Sequence, residues 1–426
     1  MIAGDYRALR RDPLRFMLDA RANRGDAAPM RFGWIRAVLF SDPARARHVL
    51  QENHKAYSKQ TRGLDKIRLV LGNGLLTSEG EFWLRQRRIL QPAFHRDRIK
   101  EAEHAMRVAA IDLANDWERR VGTEIDVHEH MMALTLRIVC DTLLGADVSG
   151  QTSDIGRAVT DLLEDVNQRT RTLLDVPAAV PTRKNRALRK NIATLDRIVN
   201  RTIAEHRAAI ASGAPRRDLL TLLLEARDEE TGARMTDAQI RDEVITFFLA
   251  GHETTANALS WSFHCLSKHP EADKELARDL AAGSSRYANM VIKEAMRLYP
   301  PAWMIGRQAE QDDVVGGFRV PRGTLVFVSP FVTQRHPQLW DNPEGFDPER
   351  FTPEREAARP RYAYYPFGGG PRFCIGQGFA QSEAAIVLSE LASRFRLDLA
   401  TTRDVRPEPL ITLRPRGPLT MRITKR

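Results

Sequence analysis

Phe367-Gly368-Gly369-Gly370-Pro371-Arg372-Phe373-Cys374-Ile375-Gly376 is the stretch on which the reading of this chain turns. It presents one cysteine from a run of glycines, with an arginine two residues before it. Behind it Ala380, Ala384, Val387, Leu388, Leu391 and Phe395 recur at spacings of three and four, one face of a helix. Cys374 is therefore predicted at or just before a helix N-terminus, where the dipole and free N–H groups favour a thiolate over a thiol. The glycines allow positive φ and let the main chain approach something flat and bulky. No Gly-Lys-Ser/Thr follows, which excludes a P-loop.

A thiolate held by backbone N–H groups, beside an arginine that could pair a carboxylate, fits the axial ligand of a haem iron. The pattern Phe-x-x-Gly-x-Arg-x-Cys-x-Gly is met at every fixed position: Phe367, Gly370, Arg372, Cys374 and Gly376. In this the segment resembles the haem-binding signature of the cytochrome P450 family. A bare glycine-rich loop would be read as holding an incidental buried cysteine; the complete pattern outweighs that reading.

Composition sets the outer bounds. At 426 residues the chain exceeds the usual single-core size. Its 42% hydrophobic and 28% charged residues are those of an ordinary globular protein. The apolar run from Val244 to Ala250 is far short of the ~18 residues a membrane span needs. Met1-Ile2-Ala3-Gly4-Asp5-Tyr6-Arg7 has no apolar segment of a signal peptide, so a cytoplasmic protein without a transmembrane anchor is expected. Of the three cysteines, Cys140 and Cys265 lie in apolar helical patterns and read as inert buried thiols. The net charge of +10 is spread without a basic tail or an aromatic-interleaved stripe, which argues against nucleic acid. An electrostatic docking face for an acidic partner accounts for it better.

Along the chain, Asp12-Pro13 to Arg24 predicts a short helix, and Met30–Ser41 a strand carrying Trp34, Val38 and Phe40. Pro43 opens a helix to about Gln51. Tyr57 to Gly80, with four glycines, reads as a long functional loop. Glu81–Phe94 is helical until Pro92 and puts Trp83 and Arg87, four apart, on one face. Asp97–Val121 and His128–Leu144 are amphipathic scaffold helices. Two further helices between Thr152 and Ser212 flank an apolar connector, Leu173–Val180, that reads as a lid.

The central helix is the best-defined element. Thr236-Asp237-Ala238-Gln239 is a capping box, and His269-Pro270 stops the helix about 32 residues later, roughly 48 Å of length. Val244-Ile245-Thr246-Phe247-Phe248-Leu249 is apolar all round and predicts burial. Yet Ala250-Gly251-His252-Glu253-Thr254-Thr255 follows in that buried middle. The small pair leaves room above a planar cofactor. A buried acid beside a hydroxyl is either satisfied locally or part of a proton path, while a helical threonine commonly just bonds back to the preceding turn. The segment resembles the family's oxygen-activation motif at Ala250, Gly251, Glu253 and Thr254, with His252 in its variable position.

Other segments extend the resemblance. Glu294 and Arg297, three apart on a helix, together with Arg350 of Pro348-Glu349-Arg350-Phe351, resemble the family's structural acid–arginine triad. Arg307 matches the position of a propionate partner beside Trp83, Arg87 and Arg372. Where relatives usually show His-Arg-Asp-Pro, this chain has Gln334-Arg335-His336-Pro337. Val314–Val320 and Thr324–Val328 predict paired strands, and Ile411–Leu413 with Leu419–Ile423 a last hairpin.

The resemblance runs from Trp83 through the C-terminal helix. It implies a mainly α fold with a smaller β part, the triangular haem-enclosing prism, as one haem domain over 1–426, with β structure near 30–42 and 300–335 and in the C-terminal hairpin. It implies a haem-thiolate monooxygenase that uses haem b and O₂ to convert RH into ROH and water. Cys374 would be the iron ligand. Phe367, Gly376, Ala250, Trp83, Arg87, Arg307 and Arg372 would hold the haem, and Thr254 with Glu253 would be catalytic. Electrons from NAD(P)H would arrive through a separate ferredoxin or flavodoxin and its reductase, docking on Arg85 and Arg88 of a monomer. A peroxide-driven haem enzyme and a non-catalytic haem sensor are the rival classes, and the Glu253-Thr254 pair weighs against both. Ala302, Trp303 and Met304 would line the substrate pocket without a charge. A carotenoid is the first expectation, with a fatty acid or terpenoid as alternatives. A fatty acid would want a cation such as Arg62, Arg68 or Arg183 near the pocket mouth.

Overall fold

A computed structural model describes residues 4–143, 145, 152–170, 176–216, 218–228, 230–401 and 404–426. Its axis is the predicted central helix, Asp237–Lys268, opened by the reciprocal Thr236–Gln239 capping box. From Val244 to Leu249 every residue is buried, so this helix is core from all sides rather than an amphipathic surface element. Val127–Leu143 packs along it, and the helix behind the cysteine, Gln377–Arg394, packs against both it and Arg96–Glu118. Ala384, Val387, Leu388 and Leu391 are buried on that last helix at the spacings the sequence predicts, whereas Ala380 is only partly buried and lines the cavity described below, and Phe395 lies past the helix end at the start of a strand. No helix among the described residues is long and apolar enough to cross a membrane.

The β part is assembled from distant pieces. One sheet orders Ala27–Phe32, Ile35–Phe40, Leu325–Val328, Ile305–Ala309 and Tyr57–Ser58. Ile35–Phe40 and Leu325–Val328 run parallel; the other neighbours are antiparallel. Side chains alternate across it: Phe32, Leu39 and Phe327 join one apolar cluster, Val38, Phe40 and Val326 another. A second sheet joins Glu124–Asp126, Thr420–Lys425 and Phe395–Leu399.

Several sequence expectations are corrected. Met30–Ser41 is not one strand but the end of one and the whole of the next: Gly33, at φ 62°, turns the chain between Phe32 and Ile35, and Trp34 is left 76% exposed at the tip. The 57–80 segment contains a helix, Arg62–Leu71, capped by the Thr61 hydroxyl, its signal hidden by flanking glycines. Val314–Val320 does form a hairpin about Gly316-Gly317, but Leu325–Val328 pairs elsewhere, as above. Leu413–Pro415 pairs with Pro407–Pro409, while Thr420–Lys425 belongs to the second sheet, so the expected last hairpin is two separate pairings. Of the expected lid, residues 173–175 lie outside the described residues. Val176 and Val180 are exposed, the carbonyls of Pro177 and Val180 are held by Asn185 Nδ2, and none of Val176–Val180 reaches the cavity described below.

Glu294, Arg297 and Arg350 do come together. Glu294 and Arg297, both fully buried, form a two-toothed fork at 2.7 and 2.8 Å. The remaining Arg297 donors reach the carbonyls of Gln334, Pro343 and Gly345 at 2.7–2.9 Å, and Arg350 Nε stands 3.3 Å from Glu294. Removing one member of such a pair strands a buried charge. Arg297→Ala is expected to cost ~3–5 kcal/mol, measured as the loss of unfolding free energy in denaturant titration. A cost below ~1 kcal/mol would show that the fork is dispensable.

Candidate active site

The cysteine loop is built as its glycines demand, although the demand comes from the protein itself. Gly368 and Gly370 take φ 75° and 65°. A side chain at Gly370 would stand 1.8 Å from the Leu50 carbonyl oxygen, and one at Gly369 would strike the Tyr362 ring. Close approach of backbone to backbone therefore fixes these positions, beyond any need to admit a flat cofactor. Cys374 lies three residues before the first residue of Gln377–Arg394, as expected. Its N–H donates to the Phe367 carbonyl at 3.1 Å. Burial pushes the Cys374 thiol above its ordinary value, opposed by the Gly376 N–H and the Arg87 guanidinium. The helix end alone does not make the thiolate; a bound cation in front of the sulfur would have to complete it.

Cys374 opens into a cavity of about 1270 Å³, larger than the ~300–1,000 Å³ of a pocket for one small molecule. Phe367, Gly376, Ala250, Glu253, Thr254, Trp83, Arg87, Arg307 and Arg372 all line it, as do Ala302, Trp303 and Met304. The structure thus brings the predicted cofactor, catalytic and pocket residues to one space. They do not all face it alike. Trp303 is mostly packed in the sheet core, and its Nε1–H donates to the Leu410 carbonyl at 2.9 Å, so it forms the pocket floor more than a contact surface. Of the three cations suggested for a carboxylate at the mouth, only Arg62 lines the cavity. Arg68 is tied to Asp65 and to the Thr77 carbonyl, each at 2.8 Å.

One side of the cavity carries a charge imbalance. Arg372 lies 3.3 Å from Glu79 and stacks its guanidinium 3.8 Å above the Trp83 ring, while its Nη1 is buried without a partner. Arg307 is nearly buried, with one donor on the Gly306 carbonyl at 2.9 Å. Burial lowers both guanidiniums to about 10. Arg87 donates to the Phe373 carbonyl at 2.9 Å, one residue from the sulfur. Lys59, half-buried, joins them; burial and then Arg307 and Arg372 pull its ammonium well below its ordinary value. Lys59, Arg307 and Arg372 thus share Glu79 as an offsetting carboxylate, with Arg87 beside Arg372. Two added carboxylates, such as the propionates of a haem, would neutralise this surplus and pair the orphaned Arg372 nitrogen. The donor set fits that group. Lys59 and Glu79 were missed in the sequence, where no motif marks them.

On the central helix, the Thr254 hydroxyl donates back to the Ala250 carbonyl at 2.6 Å. Local back-bonding therefore holds in the structure, and the hydroxyl's lone pairs remain towards the cavity. Glu253 is buried; burial raises its carboxyl, opposed by the Thr412 hydroxyl and Arg414. His252 Nδ1 bonds to the Phe248 carbonyl at 2.8 Å and lines no part of the cavity, in keeping with its giving no catalytic signal.

The expected donor-docking pair is corrected in part. Arg88 is committed to Asp228 and Glu230 at 3.2 and 2.6 Å, and Arg85 lies over the Phe82 ring. Arg96 and Lys100 are exposed in the same region, where Phe94 and Ile99, on either side of Arg96, pack at Gly376 and Gly378.

A helical fold around a cysteine-bearing cavity with paired cations for carboxylates defines a haem-thiolate protein. The family model for cytochrome P450 matches residues 4–421, and the chain belongs to the cytochrome P450 family of haem-dependent monooxygenases. It is 36% identical to cyclooctat-9-en-7-ol 5-monooxygenase of Streptomyces melanosporofaciens, over 97% of this chain and 89% of that protein. It is 34% identical to cyclooctatin synthase of the same organism, over 99% and 93%, and 34% identical to pentalenene oxygenase of Streptomyces avermitilis, over 100% and 96%.

A second buried acid lies across the central helix. Glu383 is fully buried, and neither carboxyl oxygen has a well-aligned hydrogen bond; the Thr255 hydroxyl is its polar neighbour. Burial raises its carboxyl to about 8. The folded state therefore holds a proton that the unfolded chain releases near its ordinary value of 4.5, so the stability that goes with that proton is full below that value and fades as pH rises towards 8. Glu243, raised to about 7, acts in the same direction. Glu383→Gln is expected to flatten the fall of melting temperature between about pH 5 and 8. An unchanged slope would remove Glu383 from the titration.

Proposed function

We propose that this chain is a cytoplasmic, monomeric hydroxylase of an apolar terpenoid. The observation that carries the reading is the single cavity with Cys374 on one wall, Ala250, Glu253 and Thr254 on another, and an apolar lining between. Bound against Cys374, with its carboxylates on Lys59, Arg87, Arg307 and Arg372, haem would supply the activation of O₂ by electrons from a separate ferredoxin or flavodoxin. Cys374 would be the iron ligand; the Arg87 guanidinium beside it favours the thiolate. Ala250, one turn before Thr254, leaves the space that a larger side chain would take from the cofactor and substrate.

The remaining steps belong to the chain's own groups. Glu253, whose carboxyl burial pushes above its ordinary value and so towards the protonated form, stands at the cavity wall as the general acid. Thr254, its hydrogen held by the Ala250 carbonyl, offers an acceptor oxygen that positions the water carrying that proton. Phe247, Val139, Ile292 and Met304 exclude bulk water and orient a hydrocarbon by shape rather than by charge. Arg96 and Lys100 form the docking face for an acidic electron donor.

The substrate class rests on the relatives. A carotenoid is the first expectation from the segments near Trp303, but the compounds named for the matching proteins, cyclooctat-9-en-7-ol and pentalenene, support the terpenoid alternative more. The fatty-acid alternative is weakened because Arg68 is already paired and Arg183 lies away from the cavity.

Two measurements test the proposal. Cys374→Ser is expected to abolish the far-red-shifted Soret band of the reduced, CO-treated protein; a retained band would dismiss Cys374 as ligand. Titration with cyclic sesqui- and diterpenes is expected to shift the haem from low to high spin. A shift with long-chain acids or carotenoids alone would move the substrate class to one of those.

A further inference from the structure

We infer that the mouth of the cavity docks on an anionic membrane surface. Exposed residues that line the cavity mark where it reaches the surface, and Arg10, Trp34, Arg36, Arg62 and Arg322 are among them. Trp34 is 76% exposed at the tip of the Phe32–Ile35 turn, the largest apolar side chain left to solvent among the described residues. An isolated exposed hydrophobic needs no explanation. Here, however, the exposed indole projects from a hairpin, at the rim of an apolar cavity, among cations.

The cations are not offset. Eight arginines and four aspartates stand between residues 4 and 36, so this short segment carries four of the chain's ten net positive charges. The aspartates are occupied inside the fold. Asp5 is bonded by Arg24 at 2.7 Å and by the Arg31 N–H at 3.1 Å, Asp12 caps the helix Pro13–Arg24, Asp19 pairs with Arg15, and Asp26 bonds Ser41 and His336. Arg7, Arg11, Arg36 and Arg322 are exposed and make no ion pair among the described residues; Arg10 lies 5.9 Å above the Tyr6 ring. Among the residues lining the cavity the sole carboxylate is Glu253, which is buried deep within it. The rim is thus an indole among an excess of cations, with Asp312 a nearby carboxylate, bonded by the Arg322 N–H at 2.8 Å.

That chemistry suits one occupant. Tryptophan settles at the headgroup level of a bilayer, its ring in the apolar boundary and its N–H in the wet layer. Basic side chains around it are drawn to anionic headgroups, and the attraction fades with salt. An acidic protein would satisfy the charge but would leave the projecting indole and the open cavity behind it without a counterpart. Docked in this way, the cavity would open onto the lipid phase, where apolar molecules concentrate. Arg96 and Lys100, by the cysteine loop, line no part of this cavity mouth and stay available to an electron donor. The docking stands whether or not the substrate is a terpenoid.

The test is flotation of the haem-loaded protein with vesicles of phosphatidylcholine containing phosphatidylglycerol, against phosphatidylcholine alone. The protein is expected to float with the anionic vesicles at low salt and to be released at high salt. Arg10→Gln with Arg36→Gln should weaken binding on the order of tenfold, and Trp34→Ser should weaken it independently of salt. Indole fluorescence of the wild type should shift to the blue on binding, and that shift should be lost in Trp34→Ser. The CO-difference spectrum of each variant checks that the haem site is intact. No flotation with anionic vesicles, equal flotation with phosphatidylcholine alone, or flotation indifferent to both sets of substitutions would each overturn the proposal.

Discussion

Arg297 ties a helix to a distant irregular stretch through five side-chain hydrogen bonds. It is fully buried, forked onto Glu294, and its other donors catch three carbonyls from an irregular stretch more than thirty-five residues away. Coil carries few hydrogen bonds of its own, so buried coil is tolerable only when side chains satisfy it. One of the three carbonyls belongs to Gln334, whose own side chain donates to the Met296 carbonyl and accepts the Tyr365 N–H. Tyr365 is two residues before Phe367, where the cysteine loop begins. Position therefore passes from a buried ion pair through one amide to the loop that carries Cys374. The Gln334 departure from the usual family pattern lies on this path and keeps both donor and acceptor in use.

The opposite problem arises across the cavity, where charge is gathered without being balanced. Lys59, Arg87, Arg307 and Arg372 raise one another's cost of ionisation, and Glu79 offsets only part of it. An unpaired buried cation normally destabilises a fold. Here the surplus amounts to stored affinity for a dianionic group. The fold without its prosthetic group is therefore expected to be less stable than the loaded protein, by linkage rather than by any missing contact within the chain.

How much of this could be read from the sequence depends on the range of the interaction. The central helix and the helix behind Cys374 were legible because their caps and apolar periods are local. Thr236 and Gln239 announce one end, and Leu388 and Leu391 repeat at the expected interval. Leu325–Val328 was legible as a strand, but not its neighbours, because pleating says which face is buried and nothing about which strand lies alongside. Trp34 shows the same limit. Its apolar character argued for burial, and only the Gly33 turn, two residues long, put it outside. Lys59 and Glu79 gave no signal because their meaning arises when the fold sets them beside Arg307 and Arg372.

Thr254 and Thr255 show how finely position separates like residues. Each hydroxyl bonds back to the carbonyl four residues earlier, at Ala250 and Gly251 respectively. Successive helix positions are about 100° apart, so the two side chains meet different surroundings. Thr254 is only partly buried and its second lone pair is free for water in the cavity. Thr255 is buried beside Glu383, a carboxyl whose neutral form burial favours. Exchange of either for valine would remove one back-bond of similar strength, so backbone effects should be alike. What would differ is the surroundings altered: the open cavity at Thr254, and a fixed, proton-bearing neighbour at Thr255. The chemistry of the pair is therefore set by helix phase, with residue type the same at both.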